Sequence, residues 1–270
     1  MTTPSAFLLG AQKAGTTWLA SRLDEHPQLS IGRDKEAHFF DHPELEVSAE
    51  EFFAEHFTTN DPARPSVFLD ATPNYLCHPD VPARVAQTCP DARFIAVLRN
   101  PVDRARSALS HHVSHRRLPA DVHASSYITD ILNGAPDTWQ VVEFSDYLGG
   151  IRRWLEYVDR ERFLFLVFET ELATNGERSV QRSLEHLELD RASLPDELTT
   201  VPENVTPKSS LTMRLARSLP GGPRAARLLE RLAPQSGVSM SGADELAQRF
   251  RPDLSELEEI TGCSLSHWYN

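Results

Sequence analysis

The stretch Ala6-Phe7-Leu8-Leu9-Gly10-Ala11-Gln12-Lys13-Ala14-Gly15-Thr16-Thr17-Trp18-Leu19 decides how this chain is read. A short apolar strand, Phe7 to Leu9, runs into a loop bounded by two glycines, and a helix starts near Thr16. Gly10 and Gly15 have access to backbone angles closed to other residues. The loop N–H groups and the helix N-terminus then converge on one point, an arrangement that suits a phosphate. The glycines have the spacing of the ATP-type loop, but that pattern ends Gly-Lys-Ser/Thr. Here Thr16 and Thr17 follow Gly15, and the lysine stands earlier, at Lys13. A lysine in mid-loop reaches the 5′ end of a nucleotide from a different place.

Outward from this loop, apolar runs with β-branched or aromatic residues predict buried strands at Ala6–Leu9, Val67–Leu69, Phe94–Leu98 and Phe163–Phe168. Helical patterns lie between and after them, at Thr16–Glu25, Val81–Cys89, Val102–His115, Phe144–Val158 and Glu177–Leu187. Strands alternating with helices predict an α/β fold, a P-loop-type parallel sheet with helices on both faces. One domain over residues 1–270 is the economical expectation. The Pro-, Gly- and Ser-rich segment from about 202 to 242 breaks the alternation and carries Arg214, Arg217, Arg224, Arg227 and Arg231. It reads either as the solvated faces of two short helices or as a flap over an acceptor site. The tail, Leu246 to Trp268, reads as a closing helix punctuated by Pro252-Asp253 and Gly262.

A second motif follows the strand Phe94–Leu98: Arg99-Asn100-Pro101, then a helix through Arg106-Ser107. Pro101 suits a first helical turn, where its missing N–H costs nothing. A guanidinium grips phosphate with a planar fork, and a serine hydroxyl adds a neutral bond. Both motifs stand just past a strand's carboxyl end, where ligands bind in parallel sheets.

Lys13 to Trp18 resembles the 5′-phosphosulfate loop of sulfotransferases that use 3′-phosphoadenosine 5′-phosphosulfate (PAPS), which reads Lys-x-Gly-Thr-Thr/Ser, often with Trp next. Arg99 and Ser107, eight residues apart, resemble the 3′-phosphate motif of the same family. The resemblance covers most of the chain and less specifically includes Phe163–Phe168 with Glu169 and the Leu257–Trp268 stretch. It implies that Lys13, Ala14, Gly15, Thr16 and Thr17 form the 5′-phosphosulfate loop and that Trp18 lies near the adenine. Arg99 and Ser107 would then bind the 3′-phosphate, and Lys208, with Ser209 and Ser210, would sit in a late loop closing over the nucleotide. The implied activity is transfer of a sulfuryl group from PAPS to a hydroxyl of a small-molecule or saccharide acceptor.

Within that family, Lys35-Glu36-Ala37-His38-Phe39-Phe40-Asp41 looks most like the heparan-sulfate and related bacterial branch, whose glutamate here serves as catalytic base. Glu36 is therefore the candidate base and Lys13 the candidate stabiliser of charge on the bridging oxygen. His38 is a competing base, since other sulfotransferases use histidine. On an extended strand it faces the same side as Glu36 and the side opposite Asp41. One departure concerns Asp70-Ala71-Thr72-Pro73-Asn74-Tyr75, where related proteins commonly carry a lysine and this chain has Ala71. Asp70, Thr72 and Tyr75 then either line the acceptor cleft or form a turn after a strand.

Composition narrows the field. A net charge of −12 argues against nucleic acid or an anionic membrane as main partner. No apolar run approaches the roughly 20 residues that span a bilayer. The first strand begins within ten residues of Met1, and the three cysteines have no metal or disulfide-framework spacing. These features point to a cytoplasmic protein. Arginine outnumbers lysine 24 to 3, a skew typical of GC-rich coding, which makes bacterial specialised metabolism the favoured setting. No metal site is expected: His111 and His115 share a helix face but lack a carboxylate at ligand spacing, so solvent or acceptor contact is their expected role. The rival readings are a P-loop kinase, which would need Mg²⁺ and a lysine directly after Gly15, and a noncatalytic nucleotide-binding module of the same fold. The sequence sets neither the acceptor nor an oligomeric state.

Overall fold

The apolar runs form one five-stranded sheet whose central strands are buried on both faces and must be covered on both. The computed structural model describes residues 3–57, 66–119, 124–190 and 243–269. Its strands are β1 (Ala6–Gly10), β2 (Leu29–Ser30), β3 (Val67–Asp70), β4 (Arg93–Leu98) and β5 (Phe163–Val167). They run parallel in the order β2-β3-β1-β4-β5. From β1 the chain first winds outward to β2 and β3, then returns to place β4 on the other side of β1. The carboxyl ends of β1 and β4 thus flank the switch point of the sheet, where its ligand crevice opens.

Register stacks the core. Phe7 pairs with Phe94 and Phe94 with Phe163 across three neighbouring strands, with ring centroids 5.6 and 4.9 Å apart. Trp154 covers this aromatic row from the helix α6 (Tyr147–Leu155), its ring 5.1 Å from Phe94. The other helices are α1 (Thr16–Leu23), α2 (Ala49–His56), α3 (Val81–Thr88), α4 (Pro101–Ser114), α5 (Ala124–Leu132), α7 (Gly176–His186), α8 (Ala243–Phe250) and α9 (Leu254–Thr261). A smaller second core joins α4, α5 and α8 through Val102, Leu109, Ile128, Leu246 and Phe250.

Several expectations need adjustment. The helix predicted over Phe144–Val158 is a 3-10 turn, Glu143–Ser145, followed by α6, because the Asp146 side chain caps the new helix by accepting from Gly149 N–H at 3.0 Å. The closing helix is two: Pro252 lacks the N–H that continuity requires, so a turn at Arg251–Asp253 separates α8 from α9. Gly262, at φ 70°, then ends α9 in the left-handed conformation. Phe168 leaves β5 and opens a π-helical turn, Phe168–Leu172. Strand β2 is two residues long and carries no periodic signal. Helix α2 announced itself only by the capping box of Ser48 and Glu51. The segment 202–242, with Lys208, lies outside the described residues.

Candidate active site

Strand β1 delivers the glycine loop to the switch point. Gly15, the N-cap of α1, has φ 86°, and a Cβ there would lie 2.7 Å from Leu172 Cδ2. A side chain is thus excluded twice, by backbone angle and by space. Lys13 also takes a left-handed conformation, φ 69°. The N–H groups of Gly15, Thr16 and Thr17 make no hydrogen bond among the described residues, so the start of α1 presents unfilled donors. The Lys13 ammonium likewise has no ion pair or hydrogen bond there. Its pKa falls to about 8, chiefly because burial disfavours the charged form; Glu36 opposes this, and Arg104, Lys35 and Arg117 add to it.

Arg99 joins the two motifs directly. Its Nη1 donates to the Lys13 carbonyl at 2.8 Å, and its guanidinium lies 4.7 Å from the centre of the Phe168 ring. Its Nε is buried without a hydrogen-bond partner among the described residues. Ser107, half-buried on α4, has no hydrogen-bond partner among the described residues. An unpaired ammonium, an orphaned guanidinium nitrogen and open helix N–H groups are the donor set that a nucleotide carrying two phosphoryl-type groups requires. Trp18 packs on Gly176 at the start of α7, where any side chain would collide with the indole.

The end of β4 is held from the C-terminal side. Asn100 N–H donates to Glu169 at 2.8 Å, and its side-chain amide donates to the Trp268 carbonyl at 2.5 Å. Trp268 Nε1 donates to the other Glu169 oxygen at 3.1 Å, and the Tyr147 hydroxyl donates to the Arg99 carbonyl at 3.0 Å. The sequence offered no sign of the role of Arg104. This arginine is fully buried on α4, its Nε donates to Ser145 at 2.7 Å, and its Nη1 has no hydrogen-bond partner among the described residues.

The segment from Lys35 to Asp41 is fixed by its aromatic pair. Phe39 and Phe40 are buried: Phe39 rests on Phe52 and Phe53 of α2, and Phe40 on Phe7 of β1. Phe40 N–H also donates to the Tyr75 hydroxyl at 3.1 Å. His38 then contacts both neighbouring acids, with Nδ1 2.8 Å from Asp41 and Nε2 3.3 Å from Glu36. The expectation that Asp41 faces away from His38 is wrong. It assumed an extended strand, whereas His38 has φ 52°, which breaks the two-residue alternation and brings residues 36, 38 and 41 together. Lys35 Nζ donates to the remaining Glu36 oxygen at 2.6 Å.

These contacts set the charge states. Burial raises the Glu36 carboxyl, but the His38 hydrogen bond and the Lys35 charge outweigh it and hold the pKa at about 2. The Asp41 and Glu36 hydrogen bonds raise His38 to about 10 against a smaller effect of burial. At neutral pH the group is an imidazolium between two carboxylates. Asp70, Thr72 and Tyr75 are fully buried, so they form the turn and not a cleft wall. Thr72 accepts from His38 N–H at 3.3 Å and donates to Asp70 at 2.6 Å. Burial pushes Asp70 up to about 6. Ala71 is buried as well, and its methyl group adds no cation to the site. On α4, the His111 and His115 rings lie 4.0 Å apart, and burial followed by the Lys13 charge lowers His111 to about 4.

A phosphate-type loop at the switch point of a parallel sheet places the chain in the P-loop-like class of α/β proteins. A family model for the sulfotransferase domain matches residues 3–209, and the chain belongs to that family. Heparan sulfate glucosamine 3-O-sulfotransferase 6 of Homo sapiens is 30% identical over 165 residues, 60% of this chain and 46% of that protein. Bifunctional heparan sulfate N-deacetylase/N-sulfotransferase 1 of Caenorhabditis elegans is 26% identical over 172 residues, 60% of this chain and 20% of that protein. The chain therefore spans less than half the length of these two relatives. The crystal structure of a sulfotransferase from Alicyclobacillus acidocaldarius matches with a TM-score of 0.67 at 24% identity, covering 100% of both chains. No helix among the described residues is long and apolar enough to cross a membrane.

Proposed function

We propose that this chain transfers a sulfuryl group from PAPS to a hydroxyl of a small-molecule or saccharide acceptor. The observation that carries the reading is the Arg99–Lys13 hydrogen bond, which joins the two phosphate-type motifs into one donor set. Lys13 with the N–H groups of Gly15, Thr16 and Thr17 would hold the 5′-phosphosulfate; Arg99 and Ser107 would hold the 3′-phosphate. PAPS supplies an activated sulfuryl group whose leaving oxygen gains negative charge. Lys13 would stabilise that charge, and Ala71 supplies no second cation.

Glu36 is the better base of the two candidates. Both nitrogens of His38 are engaged by carboxylates, so its imidazolium has no lone pair to offer. Glu36 is ionised, and each of its oxygens keeps a spare lone pair beyond its bond to Lys35 or His38. A carboxylate held at about 2 is a weak base, and an acceptor that displaces water from it raises it toward a useful range. His38 and Asp41 then act by positioning Glu36. Bacterial specialised metabolism remains our favoured setting, on the arginine-to-lysine skew, and the spacing of the three cysteines favours a reducing cytoplasm.

Thermal shifts test the nucleotide assignment. Adenosine 3′,5′-bisphosphate should raise the melting temperature without metal, by an amount equivalent to about 2.7 kcal/mol at a hundredfold excess over Kd. AMP should do much less. An equal shift with AMP would refute the 3′-phosphate site, and a larger one with ATP and Mg²⁺ would favour the kinase reading.

A further inference from the structure

We infer that His38, Asp41 and His42 form a binding site for a single divalent transition-metal ion of the zinc class. One ligand atom from each residue lies within 4.8 Å of the other two. Bonds of roughly 2.0–2.1 Å to nitrogen and oxygen in a tetrahedral site put ligand atoms about 3.3 Å apart. Small side-chain adjustments therefore close the site, and a water completes it. Two imidazoles and one carboxylate select zinc-class ions over magnesium or calcium, which take oxygen ligands.

The surroundings supply what such a site needs beyond its ligands. The Asp41 side chain is about nine-tenths buried, and its Oδ1 has no hydrogen-bond partner among the described residues. A metal on Nδ1 displaces the proton that His38 shares with Asp41, 2.8 Å away, and the neutral ring then donates its other N–H to Glu36, already 3.3 Å away. A metal-bound histidine that donates to a carboxylate is the usual outer-shell arrangement. His42 is half-exposed and opens the site to solvent; its Nδ1 lies 2.7 Å from Glu44 Oε1, so a metal takes its Nε2 or displaces Glu44. Its ring centroid lies 6.0 Å from that of His38. The backbone is already set: the left-handed turn at His38 and the buried Phe39 and Phe40 bring residues 38, 41 and 42 together before any metal arrives. Unlike the His111–His115 pair on α4, this group includes a carboxylate.

The test uses the full chain after chelator treatment and buffer exchange. Titration with Co²⁺ should give visible ligand-field bands that saturate at one ion per chain and vanish on addition of one equivalent of Zn²⁺. His42→Ala should weaken Co²⁺ binding at least about tenfold, the loss seen on removing even an outer-shell partner. It should keep the thermal shift with adenosine 3′,5′-bisphosphate, since His42 has no part in the nucleotide or transfer machinery. His111→Ala should leave Co²⁺ binding unchanged. Absence of one-to-one saturation, unaltered binding in His42→Ala, or loss in His111→Ala would each overturn the site. The nucleotide shift is read separately, so failure of the metal site and failure of the PAPS reading are distinguishable.

Discussion

On the proposed nucleotide site, the depressed Lys13 ammonium should make nucleotide affinity depend on pH. In the free protein its pKa is about 8, below the ordinary 10.5, with burial as the main cause. A bound 5′-phosphate supplies the missing counter-charge and returns the group toward its ordinary value. Binding then takes up a proton wherever the free amine is neutral. The contribution to affinity is complete below pH 8 and fades as pH rises toward 10.5. Between pH 7 and 9 the affinity for adenosine 3′,5′-bisphosphate should fall about tenfold, with roughly 0.9 proton taken up at pH 9. His38, held at about 10, stays protonated over this range and adds little slope. Isothermal titration in buffers of different ionisation heat measures both quantities. Lys13→Met should bind more weakly at pH 7 and show no such slope. A flat profile in the parent protein, or the same slope in Lys13→Met, would refute the assignment of Lys13 to the phosphate.

Four further substitutions probe the site and its support. Arg99→Ala should abolish the difference between adenosine 3′,5′-bisphosphate and AMP in thermal shifts, and it should also loosen the loop, because the Lys13 carbonyl loses its donor. Once an acceptor is found, Glu36→Gln should preserve nucleotide affinity while lowering turnover by about 10²-fold or more; wild-type turnover would remove the carboxylate mechanism and leave the nucleotide site standing. Tyr75→Phe strands the buried Phe40 N–H and should cost about 1–3 kcal/mol by denaturant unfolding. Gly15→Ala should eliminate nucleotide binding even where the protein still folds, since its Cβ would press on Leu172 and Phe168 at an unfavourable φ.

By itself the sequence determined the sheet and its loop. Buried parallel strands need uninterrupted apolar runs, and a tight phosphate-type loop needs glycine, so β1, β3, β4, β5 and the Lys13–Thr17 segment were all legible as local patterns. The Arg99-to-Ser107 spacing was legible for the same reason, since a strand end and a helix set it within one continuous stretch. The partnership between these motifs was not. The hydrogen bond from Arg99 to the Lys13 carbonyl spans 86 residues and exists only because β1 and β4 are neighbours in the sheet. The same is true of Glu169 and Trp268, which hold the end of β4 from the far end of the chain. Locally, the competition between Glu36 and His38 could not be decided by strand alternation, because a left-handed residue cancels it. That conformation is held by contacts remote in sequence: Thr72 binds the His38 N–H, Tyr75 binds the next N–H but one, and Phe7 seats Phe40. Charge was equally a tertiary matter, since burial lowers Lys13 and two carboxylates raise His38, and neither environment is written in neighbouring residues alone.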